Sequence, residues 1–258
     1  MASRRVRQWT AASVTIALVI GIWELLTSVG HVPSYKLPPP WPLVHEAATL
    51  FSSGGLLPDL VVTSGEIWKG TLIGAVLGVF AAVLFFHAQW TERVGMPLIV
   101  IAQVTPKISI APLLILWMGL GATPKLVLVA LVTFFPVLTM ARASLQGMST
   151  DLLALCRLLD MGAWARFIKV EVPAMLPAIA AGLRLGALQG VTAAVIGELM
   201  GAEAGLGYAA NQGAQNDNIG ETIVAILTLC ALGLALYAVT GLALRLATRN
   251  YRSEDVLA

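Results

Sequence analysis

The feature that most constrains this chain is a recurrence of apolar runs about 20 residues long, the length a helix needs to cross the hydrocarbon core of a bilayer. They extend over roughly Trp9 to Val29, Leu60 to Phe86, Pro97 to Met118, Leu126 to Ala141, Ala178 to Met200 and Glu221 to Leu246. Only 12% of the 258 residues are charged, about half the share found in soluble globular proteins. The expected fold is therefore an all-α polytopic membrane protein with about six transmembrane helices. Residues 1–29 supply a cytosolic N-terminus and first membrane helix, 30–59 a linker, 60–246 a transmembrane core and 247–258 a tail.

The runs carry interruptions that matter. Gly70, Gly74 and Gly78 fall four residues apart in the second run, and Gly182, Gly186 and Gly190 repeat the spacing in the fifth. Such a stripe lets helix backbones approach closely, either within one subunit or between subunits. The third run is broken at Thr105-Pro106-Lys107, and breaks at membrane depth are tolerated where they face protein or water. Prolines at 33, 38, 39, 40 and 42 break the linker, leaving Leu43 to Phe51 for a short helix. His87 to Gly95 reads as a polar loop, Gly119 to Lys125 as a tight turn, and Gly201 to Gly220 as a loop.

Charge placement fixes an orientation. With six spans and a cytosolic N-terminus, Arg4, Arg5, Arg7, Arg93, Arg142, Arg157, Arg166, Lys169, Arg245, Arg249 and Arg252 lie on one side, and Lys36, Lys69 and Lys125 on the other. Eleven against three is a clear positive-inside bias, which puts both termini in the cytosol.

Between the fourth and fifth runs lies a 28-residue insert, 150–177, with charges of both signs, ending on Pro173 and Pro177. It is too long and too organised for a simple turn. Leu152, Leu155 and Leu159 recur at helical spacing, and a bend is needed before a second helix. Asp160 or Gly162 suits that bend, since glycine takes positive φ freely and aspartate tolerates it. The insert reads as a docking platform.

The chain has no Gly-x-x-x-x-Gly-Lys-Ser/Thr phosphate loop. His31, His45 and His87 are scattered over loops, and Cys156 and Cys230 give neither a disulfide pattern nor metal spacing. No intrinsic catalysis is expected. Ionisable and polar groups within spans are the candidates for a translocation path: Gln103, Lys107, Arg184, Gln189, Thr192 and Glu198. Each has a structural alternative: Arg184 can snorkel, Lys107 can cap a broken helix and Glu198 can form a structural pair.

The insert resembles the membrane-subunit signature of ATP-binding-cassette (ABC) importers: Glu-Ala-Ala, three residues, Gly, nine residues, Ile, any residue, Leu, Pro. Aligned to end on Pro173, it gives Ala154-Leu155-Cys156, Asp160 and Val170-Glu171-Val172-Pro173. Ala154 stands where the signature has Glu, and Asp160 where it has Gly. Arg157, Trp164 and Pro177 resemble the branch that imports sulfonates, taurine, nitrate, bicarbonate and pyrimidine-type vitamin precursors. So do Pro38-Pro39-Pro40, Ala111-Pro112 through Gly121, Gly182-Leu183-Arg184, and Glu198 followed by Gly205-Leu206-Gly207-Tyr208.

The resemblance implies a permease of the type I importer fold in a bacterial inner membrane. It implies a second copy of the chain, cytosolic ATPase subunits that bind ATP and Mg, an extracytoplasmic solute-binding protein, and no nucleic acid. ATP-driven closure of the ATPases would move the insert and tilt the spans, carrying a small polar or anionic organic solute inward. The alternative is a secondary transporter or channel working without an ATPase, for which the insert would have no purpose.

Overall fold

In a computed structural model, residues 2–30, 33 and 36–248 are described. The expected tail at 247–258 lies outside them from residue 249 on. Every regular element among the described residues is helical: α1 (Ala2–Ser28), α2 (Pro40–Ser52), α3 (Leu57–His87), α4 (Gln89–Val104), α5 (Lys107–Met118), α6 (Ala122–Gln146), α7 (Thr150–Leu158), α8 (Ala163–Arg166), a π-helical turn (Phe167–Glu171), α9 (Val172–Gly201), α10 (Leu206–Gln215) and α11 (Ile219–Thr248). Among the described residues, α3, α6, the continuous helix Ala163–Gly201 and α11 are each long and apolar enough to cross a membrane, and the bent pair α4–α5 makes a fifth such span. The expected first span falls in α1, whose apolar helix among the described residues, Ala17–Ser28, is shorter than a membrane span.

The centre is α6, gripped by α3 on one side and α9 on the other. Both glycine stripes face it. A Cβ at Gly70 would lie 2.6 Å from Val129 Cβ, one at Gly78 2.9 Å from the Phe134 carbonyl, and one at Gly182 2.8 Å from Val137 Cα. Only the missing side chains allow backbones this close. Both stripes thus serve packing within the subunit. Leu128, Val129, Val132, Ala193 and Ala194 fill the core at one level, and Leu138, Ala141, Leu145 and Met175 at another.

Several expected boundaries differ. The polar stretch 87–95 is no loop: only Ala88 interrupts the helices, and α4 runs on from Gln89. Pro173 and Pro177 do not end the insert, because α9 begins at Val172 and passes through both. A proline lacks its N–H and crowds the carbonyl four residues back. The π turn just before Pro173 absorbs this by widening, with the Val172 N–H bonded to the Phe167 carbonyl five residues back. The stretch 201–220 contains α10. Lys125 is not on an exposed turn; it is buried in the first turn of α6. Pro40 and Pro42 sit in the first turn of α2, where a missing N–H has no helical partner to lose.

The third span is broken where the sequence places the break. α4 and α5 meet at 106° around Thr105–Pro106. His87 meets the insert at one end of the bundle, and Glu92 pairs with Arg142 at the same end. Asp59, Glu66, Lys125 and Glu198 cluster at the other. α4 starts beside the first cluster. After α5, Gly119 (φ +80°) and Gly121 (φ +120°) turn the chain into α6 beside the second. The bent pair therefore crosses from one end to the other.

Candidate functional site

The insert is built as an outward-facing hairpin. Ser149 caps α7, accepting from the Leu152 N–H at 3.2 Å, as N-terminal serines do. Cys156 turns inward and is buried, while Leu152, Leu155, Leu158 and Leu159 face outward. Leu158 is 83% exposed and Trp164, on α8, 73%. Ala154 and Arg157 lie on exposed positions of the same helix. The bend falls on Asp160, at φ +47°, and Gly162 has φ −58°. Of the two residues proposed for the turn, aspartate takes the left-handed conformation. Pro173 is half-buried at the start of α9.

The hairpin is fastened to the bundle by hydrogen bonds from buried and half-buried side chains. Glu171, in the π turn, is wholly buried. Its Oε1 accepts from Arg166 Nε at 2.8 Å, and its Oε2 lies 2.9 Å from His87 Nε2 at the end of α3. Beside it, Glu92 of α4 takes Arg142 of α6 at 2.7 Å and Gln146 at 3.0 Å. Ser144 donates to the Ala174 carbonyl at 2.8 Å. The insert is therefore bonded to α3 and α6, and α6 in turn to α4. His87, Glu92 and Arg142 had shown no pattern in the sequence beyond charge, because their partners lie between 50 and 84 positions away.

Three of the path candidates come together. Lys107, Gln189 and Thr192 line one cavity of about 350 Å³ with Pro106, Leu128, Val132, Ala193 and Ile196. Gln103 is exposed on α4, outside it. Arg184 stacks its guanidinium 4.3 Å above the Tyr237 ring, a cation–π contact. Glu198 takes no part in the cavity. It is buried with Oε1 accepting from the Thr63 hydroxyl at 2.6 Å and Oε2 from the Gly207 N–H at 2.6 Å. Thr63 Oγ1 in turn accepts from the Leu206 N–H at 2.8 Å, and Asp59 from the Gly205 N–H at 2.6 Å. The open N-terminus of α10 is thus capped by side chains of α3 and α9. Beside this cap, Glu66 and Lys125 form a buried ion pair. Sequence reasoning missed Asp59, Thr63 and Glu66. Glu66, an acid inside an apolar span, carried the signal that could have found it.

No group of three or more His, Cys, Asp or Glu among the described residues could hold a metal. What the geometry offers is a membrane bundle with an exposed apolar hairpin at one end, an ordered polar cap at the other and a small, largely apolar cavity between. That combination defines a membrane component of a multi-subunit transport system. The chain belongs to the family described as binding-protein-dependent transport system inner membrane component, which it matches over residues 74–253.

Among its relatives, a protein named for formylaminopyrimidine transport as a permease, ThiX of Halalkalibacterium halodurans, is 33% identical over 74% of this chain and 76% of its own length. SsuC of Bacillus subtilis, named for aliphatic sulfonate transport, is 29% identical over 87% of this chain and 82% of its own. A chain of the MetNI methionine ABC transporter, solved in inward-facing conformations, superposes with a TM-score of 0.66 at 19% identity, covering 75% of this chain and 96% of that one. The permease fold expected from the sequence is the fold found. The chain is a multi-pass inner-membrane permease component of an ABC importer and belongs to a family of transport components rather than enzymes.

Proposed function

We propose that the chain is the membrane half of an ATP-driven importer in which the insert at 150–177 docks on a cytosolic ATPase subunit. The observation that carries this is the exposed apolar face of Leu155, Leu158, Leu159 and Trp164, held on a stem anchored through Glu171. An apolar face of this kind at the end of a rigid hairpin, with Arg157 beside it, suits burial in a partner's groove. ATP and Mg belong to that partner. The termini lie in the cytosol with the insert, in keeping with the positive-inside bias. α10 and the cap around Glu198 then face the extracytoplasmic side, where a solute-binding protein delivers its cargo.

The broken elbow of α4–α5 and the exposed Leu98, Ile101, Val104, Leu116 and Trp117 support a second copy of the chain packed against that face. Broken backbone at membrane depth needs protein or water beside it. The path between the copies includes Lys107, Gln189 and Thr192. The relatives named for sulfonate and formylaminopyrimidine transport support a small polar organic solute.

Pull-down of the tagged chain from its native membrane, followed by mass identification and ATPase assay, tests the reading. An ATPase at one-to-one stoichiometry is expected. Replacing Leu155, Leu158 and Trp164 with serine, away from the packed core, should abolish its capture while the chain stays in the membrane. Capture unaffected by these changes would place the docking surface elsewhere.

A further inference from the structure

We propose that Glu66 of α3 and Glu198 of α9 form a proton-binding site, in which one proton held between the two carboxyls latches α3 to α9 beside α10. The site concerns this chain alone and stands apart from the importer reading.

The two acids meet inside the bundle. Thr63 and Glu66, three residues apart, share one face of α3, and Thr63 donates to Glu198 Oε1 at 2.6 Å. Lys125 of α6, whose ammonium lies on Glu66 Oε1, packs its chain against the residue before Glu198: a Cβ on Gly197 would lie 2.8 Å from Lys125 Cγ. Between these two contacts, the Glu66 carboxyl comes within hydrogen-bonding reach of the Glu198 carboxyl. Glu66, Lys125 and Glu198 are each at most 6% exposed.

The donors around the four carboxyl oxygens place the proton. Ionised carboxylates only accept hydrogen bonds, so two of them in contact need a hydrogen between. Glu198 Oε1 accepts from Thr63 and Oε2 from the Gly207 N–H. Glu66 Oε1 accepts from Lys125. Glu66 Oε2 is enclosed and has no donor. It is the oxygen left over, and a hydrogen on it donates to Glu198.

Charge leads to the same place. Two buried carboxylates against one ammonium leave an uncompensated charge in the interior, which is costly. Carboxyls that share a site therefore keep one proton between them. With it, the pair carries a single negative charge, which Lys125 balances. The other charged groups on the surrounding elements are engaged elsewhere or exposed. Asp59 of α3 accepts from the Gly205 N–H, and Glu221 of α11 from Asn218. Lys69 and Glu203 are exposed, Lys107 of α5 lines the cavity at Gln189 and Thr192, and α10 has no charged residue. Loss of the proton in alkali leaves two adjacent carboxylates that repel one another. Because Glu198 also holds Thr63 and Gly207, the cap of α10 loosens with the latch.

Infrared spectroscopy of the purified full-length chain in an ester-free maltoside detergent tests the site, since a protonated carboxyl and a carboxylate have separate carbonyl stretches. At neutral pH the spectrum should contain an acid carbonyl band that vanishes in Glu66→Gln and remains in Asp59→Asn. The glutamine amide keeps an acceptor for Lys125 and a donor for Glu198, so the variant imitates the protonated state. A band that survives Glu66→Gln would overturn the site. So would the absence of any acid band from the unaltered chain, the result expected if an enclosed water donates to Glu66 Oε2 instead. As pH is raised and the band disappears, protection of the Gly207 N–H from hydrogen exchange, relative to the free-chain rate at each pH, should fall by about tenfold, the scale of one lost hydrogen bond. Glu66→Gln should hold its protection over the same range. Constant protection in the unaltered chain, an equal fall in Glu66→Gln, or a band that persists until the chain unfolds would overturn the latch.

Discussion

Two glycines on the same helix are expected to respond in opposite directions to the same substitution. Gly74 of α3 faces α6, and a Cβ there would lie 2.9 Å from Thr133 Cβ and 3.0 Å from the Ala130 carbonyl carbon, with the Ala130 oxygen nearer still. Two of those atoms are backbone and cannot swing aside. The helices must part by about 0.5–1 Å, and a gap of that size forfeits about a quarter to a half of each dispersion contact. For about 50 atom pairs at about 0.15 kcal/mol each, the loss is roughly 2–4 kcal/mol. Alanine regains about 1 kcal/mol of helix propensity over glycine, leaving Gly74→Ala about 1–3 kcal/mol less stable.

Gly65, nine positions earlier, has nothing within 4 Å of its Cβ position. Gly65→Ala should therefore be stabilising by about 0.5–1 kcal/mol. Denaturation of the full-length chain from detergent micelles by sodium dodecyl sulfate, followed by circular dichroism, measures both variants. A Gly74→Ala chain as stable as Gly65→Ala would refute the close approach of α3 and α6.

The polar cap and the joint of the insert make their own predictions. Glu198→Ala leaves the Thr63 hydroxyl and the Gly207 N–H without an acceptor, at about 1–3 kcal/mol each. With ten residues, α10 is too short to persist unaided. Hydrogen exchange at Gly205, Leu206 and Gly207 should therefore rise by orders of magnitude, and Glu198→Gln should fall between; unchanged exchange would show that the cap does not hold α10. Glu171→Gln weakens both partners of the insert's anchor. In vesicles carrying the assembled transporter, ATP hydrolysis per solute imported should rise several-fold; an unchanged ratio would mean that the joint does not carry the coupling.

Much of this was legible from local pattern. The apolar runs mark the long helices, the Thr105-Pro106-Lys107 break falls at the elbow, and the need for a left-handed residue after α7 falls on Asp160. Which helix the glycine stripes meet was not legible, because spacing shows that a face is thin and not what approaches it. The prolines of the insert misled for a related reason. A proline removes one helical bond, but whether the chain breaks or widens depends on its surroundings. Here the turn widens and stays helical, with Glu171 inside it bonded to Arg166 and His87. The cap of α10 needs residues from positions 59, 63, 198 and 205–207, and no local window contains them. Lys107, Gln189 and Thr192 were each visible as polar groups in spans. Their shared cavity depends on the 106° bend, which sequence locates without giving its angle.

The π turn has a mechanical consequence. Because it widens rather than breaks, Ala163–Gly201 is one helix of 39 residues, about 58 Å from end to end. It starts in the exposed hairpin and finishes beside Glu198 without a break in the helix. A tilt of about 5° imposed at the hairpin would displace the far end of a rod this long by about 5 Å. A push on the tip therefore becomes a stroke at the opposite face of the membrane without passing through any loop.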